Sequence, residues 1–207
     1  FDPQLAREGQ LADPEALVDV SLELIDELEI SVVADVGTGT GVIAVTLAAE
    51  RERLEVLATD TAEPALKLTA ENVEKHSVGA RVTLAQGPWL EPVVEECWTN
   101  RVEMVVSNPP YVREDEVDGL MREITEYEPR QALVDSEPDG MGAYRAIVEQ
   151  CPDLPNLRAV AFEVGEVQAA EVADLMREAL SASEIIIRKD LGKIDRVVAA
   201  VIGIGER

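Results

Sequence analysis

The sequence predicts an α/β fold, a mostly parallel sheet with helices on both faces, and three observations predict it. Short β-branched runs alternate with segments whose apolar residues recur at helical spacing. A glycine-rich turn joins the first such run to a helix-like segment. A rigid polar loop, Asn108-Pro109-Pro110-Tyr111, closes another apolar run. In order, Pro14 to Glu29 carries Leu17, Val20, Leu24 and Leu28 on one helical face, with Asp13 as N-cap and Pro14 in the first turn. A strand Val32 to Val36, a helix Val42 to Arg51, a strand Leu54 to Thr59 and a helix Ala62 to Lys75 follow. Next come a strand Arg81 to Ala85, a short helix near Val93 to Cys97 and a strand Val102 to Ser107. After an irregular insertion, Arg113 to Pro138, the pattern resumes with helix Met141 to Gln150, strand Ala159 to Val164 and helix Val167 to Leu180. The runs Glu184 to Arg188 and Arg196 to Ile202 read as a closing hairpin.

The first turn reads Asp35-Val36-Gly37-Thr38-Gly39-Thr40-Gly41. Glycines let a backbone approach a ligand closely and adopt φ > 0. Val42 stands where the dinucleotide fingerprint G-x-G-x-x-G needs its third glycine, which disfavours hydride chemistry, and no Gly-Lys-Ser/Thr follows to make a P-loop. Asp60 ends the second strand about 20 residues after the glycines, where a carboxylate can accept both hydroxyls of a ribose. It can also cap the next helix.

Asn108 offers an amide oxygen, and the two prolines fix φ and remove two backbone donors, which leaves the Asn108 and Pro109 carbonyls free to face a ligand. Tyr111 adds a flat face. Two acceptors and a ring suit a planar substrate bearing an NH2 group. The right-handed crossover rule puts this loop and the glycine turn at the same sheet edge.

Taken together, the glycine motif, an acid after the second strand and Asn-Pro-Pro-Tyr after the fourth resemble the class I S-adenosylmethionine-dependent methyltransferases. Downstream segments narrow the resemblance to the HemK/PrmC family, which methylates the side-chain nitrogen of glutamine in peptide-chain release factors. These are Glu128-Pro129-Arg130-Gln131-Ala132-Leu133, Asp139-Gly140-Met141, Tyr144-Arg145-Ala146-Ile147, Phe162-Glu163-Val164-Gly165 with Gln168, and the tail Lys189 to Val198. The resemblance implies a Rossmann-like, seven-stranded sheet of order 3-2-1-4-5-7-6 with strand seven antiparallel. It implies S-adenosyl-L-methionine as cofactor, held by Asp35, Gly37, Thr38, Gly39, Thr40, Gly41, Asp60, Trp89 and Asn108, with the Trp89 ring near the adenine. It implies Asn108, Pro109, Pro110 and Tyr111 as the catalytic loop, a release factor as protein partner, and a cytoplasmic location.

Departures from the family pattern are also visible. Its members usually carry a helical domain ahead of the catalytic one, whereas here only residues 1–12 precede the first helix and read as a residual linker, with 13–207 as the methyltransferase domain. Leu11 to Ala16 lacks the Arg and Thr of the usual linker, and Pro88 replaces the acid before Trp89.

At 207 residues and 46% hydrophobic, the chain can bury a core without disulfides or metal. Cys97 and Cys151 fit no pairing rule, which suggests a reducing cytoplasm, and one His with two scattered Cys makes no metal site. His76, in a charged helical stretch, reads as a solvated surface residue, and Trp98 as core. No apolar run reaches the ~18 residues of a membrane span. The 18 Lys and Arg against 42 acids, a net charge of −24, argue against a nucleic acid substrate, because phosphate backbones are bound through cationic side chains. The acids Glu114, Asp115, Glu116, Asp118, Glu123, Glu126 and Glu128 follow the Asn-Pro-Pro-Tyr loop and suggest a rim for docking a basic protein. Two rival functions share parts of this pattern: an amino-methyltransferase acting on adenine, and a non-catalytic, cofactor-binding partner subunit. A lysine methyltransferase is a third.

Overall fold

Every residue of the strand Val32–Val36 is buried, which requires cover on both faces of the sheet. The structure, a computed structural model, describes residues 14–119 and 130–203. The elements are α1 (Glu15–Glu27), β1 (Val32–Val36), α2 (Val42–Glu50), β2 (Glu55–Asp60), α3 (Glu63–Lys75), β3 (Val82–Gln86), α4 (Glu91–Glu95) and β4 (Met104–Ser107). Then come a 3-10 turn (Glu114–Gly119), α5 (Arg130–Leu133), α6 (Gly142–Gln150), a second 3-10 turn (Cys151–Asp153), β5 (Ala159–Glu163), α7 (Ala169–Ala179), β6 (Ala182–Lys189) and β7 (Asp195–Ile202).

The seven strands form one sheet in the order β3-β2-β1-β4-β5-β7-β6, as the resemblance implied. The pairs from β3 to β5 are parallel, and β7 runs antiparallel to both β5 and β6. Alternate residues of each central strand feed two separate cores, because successive side chains point to opposite faces. Val32, Ala34, Val36, Val105, Val160 and Phe162 join Ile147, Val172 and Met176 on one face. Val33, Met104, Val106, Ala159 and Ala161 join Leu17, Leu24, Ile43 and Leu47 on the other.

Each predicted strand and helix is present, with ends shifted by one or two residues. The N-cap position of α1 falls on Pro14, one residue past the expected Asp13, which lies outside the described residues together with the 1–12 linker. Two short helical turns, Glu114–Gly119 and Arg130–Leu133, occupy parts of the insertion expected to be irregular, and Val112 before the first bridges Val134 after the second. Trp98 is buried with the Arg101 guanidinium 4.2 Å from its ring, and His76 is exposed at the end of α3. Both cysteines are free, and Cys151 lies buried, which pushes its thiol up to about 12. Among the described residues there is no helix long and apolar enough to cross a membrane and no cluster of metal-ligating side chains.

Candidate active site

The glycine turn and the Asn-Pro-Pro-Tyr loop leave the carboxyl ends of two neighbouring parallel strands. Register pairs Val36, the last residue of β1, with Ser107, the last of β4. The Ser107 hydroxyl donates a 2.6 Å hydrogen bond to the Val36 carbonyl, so the two loops start from one fastened point. The alternative, loops opening on opposite sides, is thereby excluded.

The glycine turn is shaped from below and from the side. Asp35 is fully buried, and its Oδ2 accepts both the Thr38 hydroxyl at 2.6 Å and the Ala44 N–H at 3.1 Å. Its Oδ1 has no hydrogen-bond partner among the described residues. Burial pushes the carboxyl up to about 6, against the opposing pull of its two donors. Gly37, Gly39 and Gly41 all hold positive φ, at 71°, 58° and 79°, and a Cβ at Gly37 or Gly39 would meet only open space. The third glycine differs, since a Cβ at Gly41 would come within 2.5 Å of Thr69 Cγ2. Helix α3 braces the turn from that side: Thr69 Oγ1 donates to the Gly39 carbonyl and Asn72 Nδ2 to the Thr40 carbonyl.

Asp60, half-buried at the end of β2, spends one oxygen on each neighbour. Its Oδ2 accepts the Gly39 N–H at 2.9 Å and its Oδ1 the Ala62 N–H at 2.8 Å. It therefore organises both the glycine turn and the start of α3, and each oxygen keeps a second lone pair for a ligand hydroxyl.

Across the strand ends, Asn108 is half-buried, and among the described residues its carboxamide makes no hydrogen bond. The carbonyls of Asn108, Pro109 and Pro110 likewise accept none from described backbone. Four acceptors on one rigid turn, the Asn108 Oδ1 and three carbonyls, are thus left for a ligand. The Tyr111 hydroxyl is pushed up to about 12 by burial and by the nearby Glu163, with Arg196 opposing. A hydroxyl raised this far stays protonated near neutral pH and is unsuited to act as a base.

Trp89 follows β3 on a left-handed backbone, φ 48°, and packs half-buried against the core. With Ser136, Glu137, Gly142, Arg145, Ala146 and Glu149 it lines a cleft of about 430 Å³. None of the glycine-turn residues lines that cleft.

A sheet of this order, a glycine turn over a buried acid, and an Asn-Pro-Pro-Tyr loop beside it coincide with a family match covering residues 18–134, to the methyltransferase small domain. The chain belongs to the methyltransferase small domain family. Curated relatives bear out the resemblance to HemK/PrmC. The chain is 38% identical over 171 residues to a release factor glutamine methyltransferase of Bacillus anthracis, covering 82% of this chain and 59% of that protein. It is 39% identical over 171 residues to that of Bacillus subtilis (strain 168), covering 82% and 58%. It spans roughly three-fifths of these relatives' length. Among solved structures, the sheet and helices superpose on the hMettl16 catalytic domain in complex with MAT2A 3'UTR hairpin 1, with TM-score 0.69 and 15% identity over 95% of this chain and 73% of that one. They also superpose on human methyltransferase 10 domain containing protein, with TM-score 0.62 and 14% identity over 93% and 85%. These two likenesses show the fold.

The methyltransferase domain also relies on residues that sequence reading passed over. Asp135, almost wholly buried, accepts the N–H groups of Glu137 and Gly142 through Oδ1 and that of Ala143 through Oδ2, which caps α6. Its own N–H binds the Val112 carbonyl, so the cap is tied to the residue after Tyr111. The available signal was an Asp seven residues ahead of a helix start, at the edge of the expected insertion. The acidic rim differs from expectation in charge: Glu114 pairs with Arg130, and Asp115 and Glu116 with Arg113. Glu123, Glu126 and Glu128, and the Asp118 side chain, lie outside the described residues.

Proposed function

We propose that the chain is an S-adenosylmethionine-dependent methyltransferase acting on the side-chain amide nitrogen of a glutamine in a peptide-chain release factor. The observation that carries this reading is the Ser107–Val36 hydrogen bond, which sets a loop of unused acceptors beside a glycine turn over a buried carboxylate. The relatives' names supply the substrate class.

The residues present fit the cofactor. Asp35 Oδ1, buried and without a partner among the described residues, suits a cationic amino group such as that of the methionyl part, and the glycine turn leaves room for a chain to pass. Asp60 would hold the ribose hydroxyls and Trp89 the adenine. Thr38 and Thr40 carry the turn's polar backbone. When bound, S-adenosylmethionine supplies a methyl group on a positively charged sulfur.

The protein's own task is to make an amide nitrogen attack. That nitrogen is a poor nucleophile because its lone pair is shared with the carbonyl. Asn108 Oδ1 and the Pro109 carbonyl accept its two N–H bonds, which pulls electron density onto nitrogen and fixes its approach. They also stabilise the positive charge that develops there. Pro110 keeps the turn rigid and the Tyr111 ring covers the amide plane. One N–H proton then leaves to solvent, so no strong base is needed before transfer.

Residues 13–207 form the methyltransferase domain in this reading, residues 1–12 a linker, and the reaction takes place in the cytoplasm with translation termination. A net charge of −24 makes nucleic acid a poor direct substrate. The exposed acids Glu114, Asp115 and Glu116 dock the protein substrate, so neutralising all three raises KM for it while leaving cofactor affinity unchanged.

The test is incubation with labelled S-adenosylmethionine and a release factor carrying a Gly-Gly-Gln loop, with the mark mapped by mass spectrometry. Label on the loop glutamine is expected. Label on adenine of added nucleic acid, or bound cofactor with no transfer to any protein, overturns the proposal.

A further inference from the structure

We propose that Gln168 is the positioning residue of the Asn108–Tyr111 loop, clamping the Tyr111 carbonyl so that the Asn108 carboxamide and Pro109 carbonyl face the substrate amide. This rests on the reading that the loop grips that amide. Pro109 and Pro110 have no N–H, so the loop cannot anchor itself through them. It is fastened upstream by the Ser107 hydroxyl. Downstream, the first carbonyl with a partner among the described residues is that of Tyr111, which accepts from Gln168 Nε2 at 3.3 Å.

The same Nε2 donates to the Gly140 carbonyl at 2.9 Å, and Oε1 accepts the Gly165 N–H at 3.1 Å. Gln168 occupies the N-cap position of α7, yet its side chain does not cap that helix. Only 7% exposed, it ties the turn at Gly165 to Gly140 and to Tyr111, 28 and 57 residues away in sequence. Two donors and one acceptor at that reach describe a glutamine carboxamide; an ionised carboxylate has no donor to offer. The neighbours leave no slack. A Cβ at Gly140 would come 2.7 Å from the Tyr111 carbonyl oxygen and 2.8 Å from Gln168 Nε2. A Cβ at Gly165 would come 2.7 Å from Gln168 Oε1 and 3.2 Å from Tyr111 Cδ2. The carboxamide and the Tyr111 ring are thus held in one layer between two glycines.

Gln168→Glu tests the clamp, because the introduced carboxyl can donate only when protonated. At pH 8 the variant lowers kcat roughly tenfold or more, while KM for the release factor and the calorimetric Kd for S-adenosylmethionine stay within about twofold. The ratio of variant to wild-type kcat then climbs as pH falls from 8 to 6. The backbone amide resonances of Val112 and Met141, each attached to a clamped carbonyl, shift with the same midpoint in the variant alone. A kcat ratio flat with pH, or a parallel loss of cofactor affinity, overturns the positioning role. Wild-type protein that transfers no methyl to the release factor overturns the functional reading instead, and an absent pH-dependent shift at Val112 then removes the clamp as well. Should Gln168→Glu fail to fold, Gly165→Ala presses on the same carboxamide and ring, and must lower kcat with cofactor Kd kept; an unchanged kcat overturns the proposal.

Discussion

The Ser107 hydroxyl reaches across from the end of β4 to the Val36 carbonyl at the end of β1, 2.6 Å away and out of contact with water. Adjacent parallel strands must end on the same side, but the ladder leaves the departing loops free to splay. This one bond fixes their common origin. Ser107→Ala removes the donor and leaves a buried carbonyl short of a partner, at a cost of about 1 to 2 kcal/mol. Denaturant unfolding should show a lower midpoint at unchanged m, and methyl transfer should fall more than cofactor affinity does.

In the proposed reading, Asn108→Ala deletes one of the two acceptors that grip the substrate amide. Since the carboxamide makes no bond within the described protein, stability should hold within about 0.5 kcal/mol. The kcat for glutamine methylation should drop by about 100-fold, equivalent to ~3 kcal/mol of lost transition-state stabilisation. Steady-state kinetics beside calorimetric cofactor binding checks this, and near-wild-type turnover would refute the role.

Asp35 makes stability depend on pH with a definite sign. Its folded pKa is raised to about 6 by burial, above the ordinary 3.8. Well below pH 3.8 the group is neutral in both states and costs nothing. Between pH 4 and 6 the unfolded chain releases the proton more readily, so stability falls, and the loss levels off above pH 6 at about 3 kcal/mol. Asp35→Asn keeps an acceptor for Thr38 and Ala44 and should flatten that slope in urea titrations. Ligand binding should move oppositely: the wild type gains cofactor affinity as pH rises through 6, and the variant binds about tenfold more weakly with no such gain.

Asp60→Ala removes two backbone hydrogen bonds at once, those to Gly39 and Ala62. The glycine turn loses its tie to β2 and, in the proposed reading, the cofactor's ribose loses an acceptor. Cofactor Kd should rise by at least about tenfold, the scale of one charge-assisted hydrogen bond, and saturating cofactor should restore much of kcat.

Gly41→Ala meets two obstacles, a left-handed backbone at φ 79° and a Cβ 2.5 Å from Thr69 Cγ2. We expect a loss of about 3 kcal/mol from strain and overpacking together. Thr69→Ser removes the obstructing methyl, so the double variant should recover about 1 kcal/mol relative to the sum of the singles. Strict additivity in thermal or urea unfolding would show that only the backbone matters there.

Much of the fold was legible because its signals are local. Five consecutive apolar or motif residues, Val32 to Val36, can only be a strand covered on both faces, and Gly37, Gly39 and Gly41 mark the sole kind of turn that tolerates those φ angles. The sheet order itself came from resemblance, since spacing alone does not rank strands. Asp60 was legible as an acid at the right place, whereas its two backbone partners, 21 residues upstream and 2 downstream, were not. The insertion misled because bridge Val112–Val134 and the Asp135 cap depend on partners that have no periodic pattern.

By itself, then, the sequence determined which strands and helices form outside the insertion, that two cores would flank a parallel sheet, and which side chains carry acceptors at strand ends. Tertiary structure alone decided that Asp35 would keep an oxygen without a partner, that Arg113 and Arg130 would offset the nearby acids, and that Gln168 would meet Tyr111, Gly140 and Gly165. The physical reason is range. Periodicity and backbone preference act within a few residues, while hydrogen bonds and desolvation are set by whatever distant segment the packed chain brings within about 3 Å.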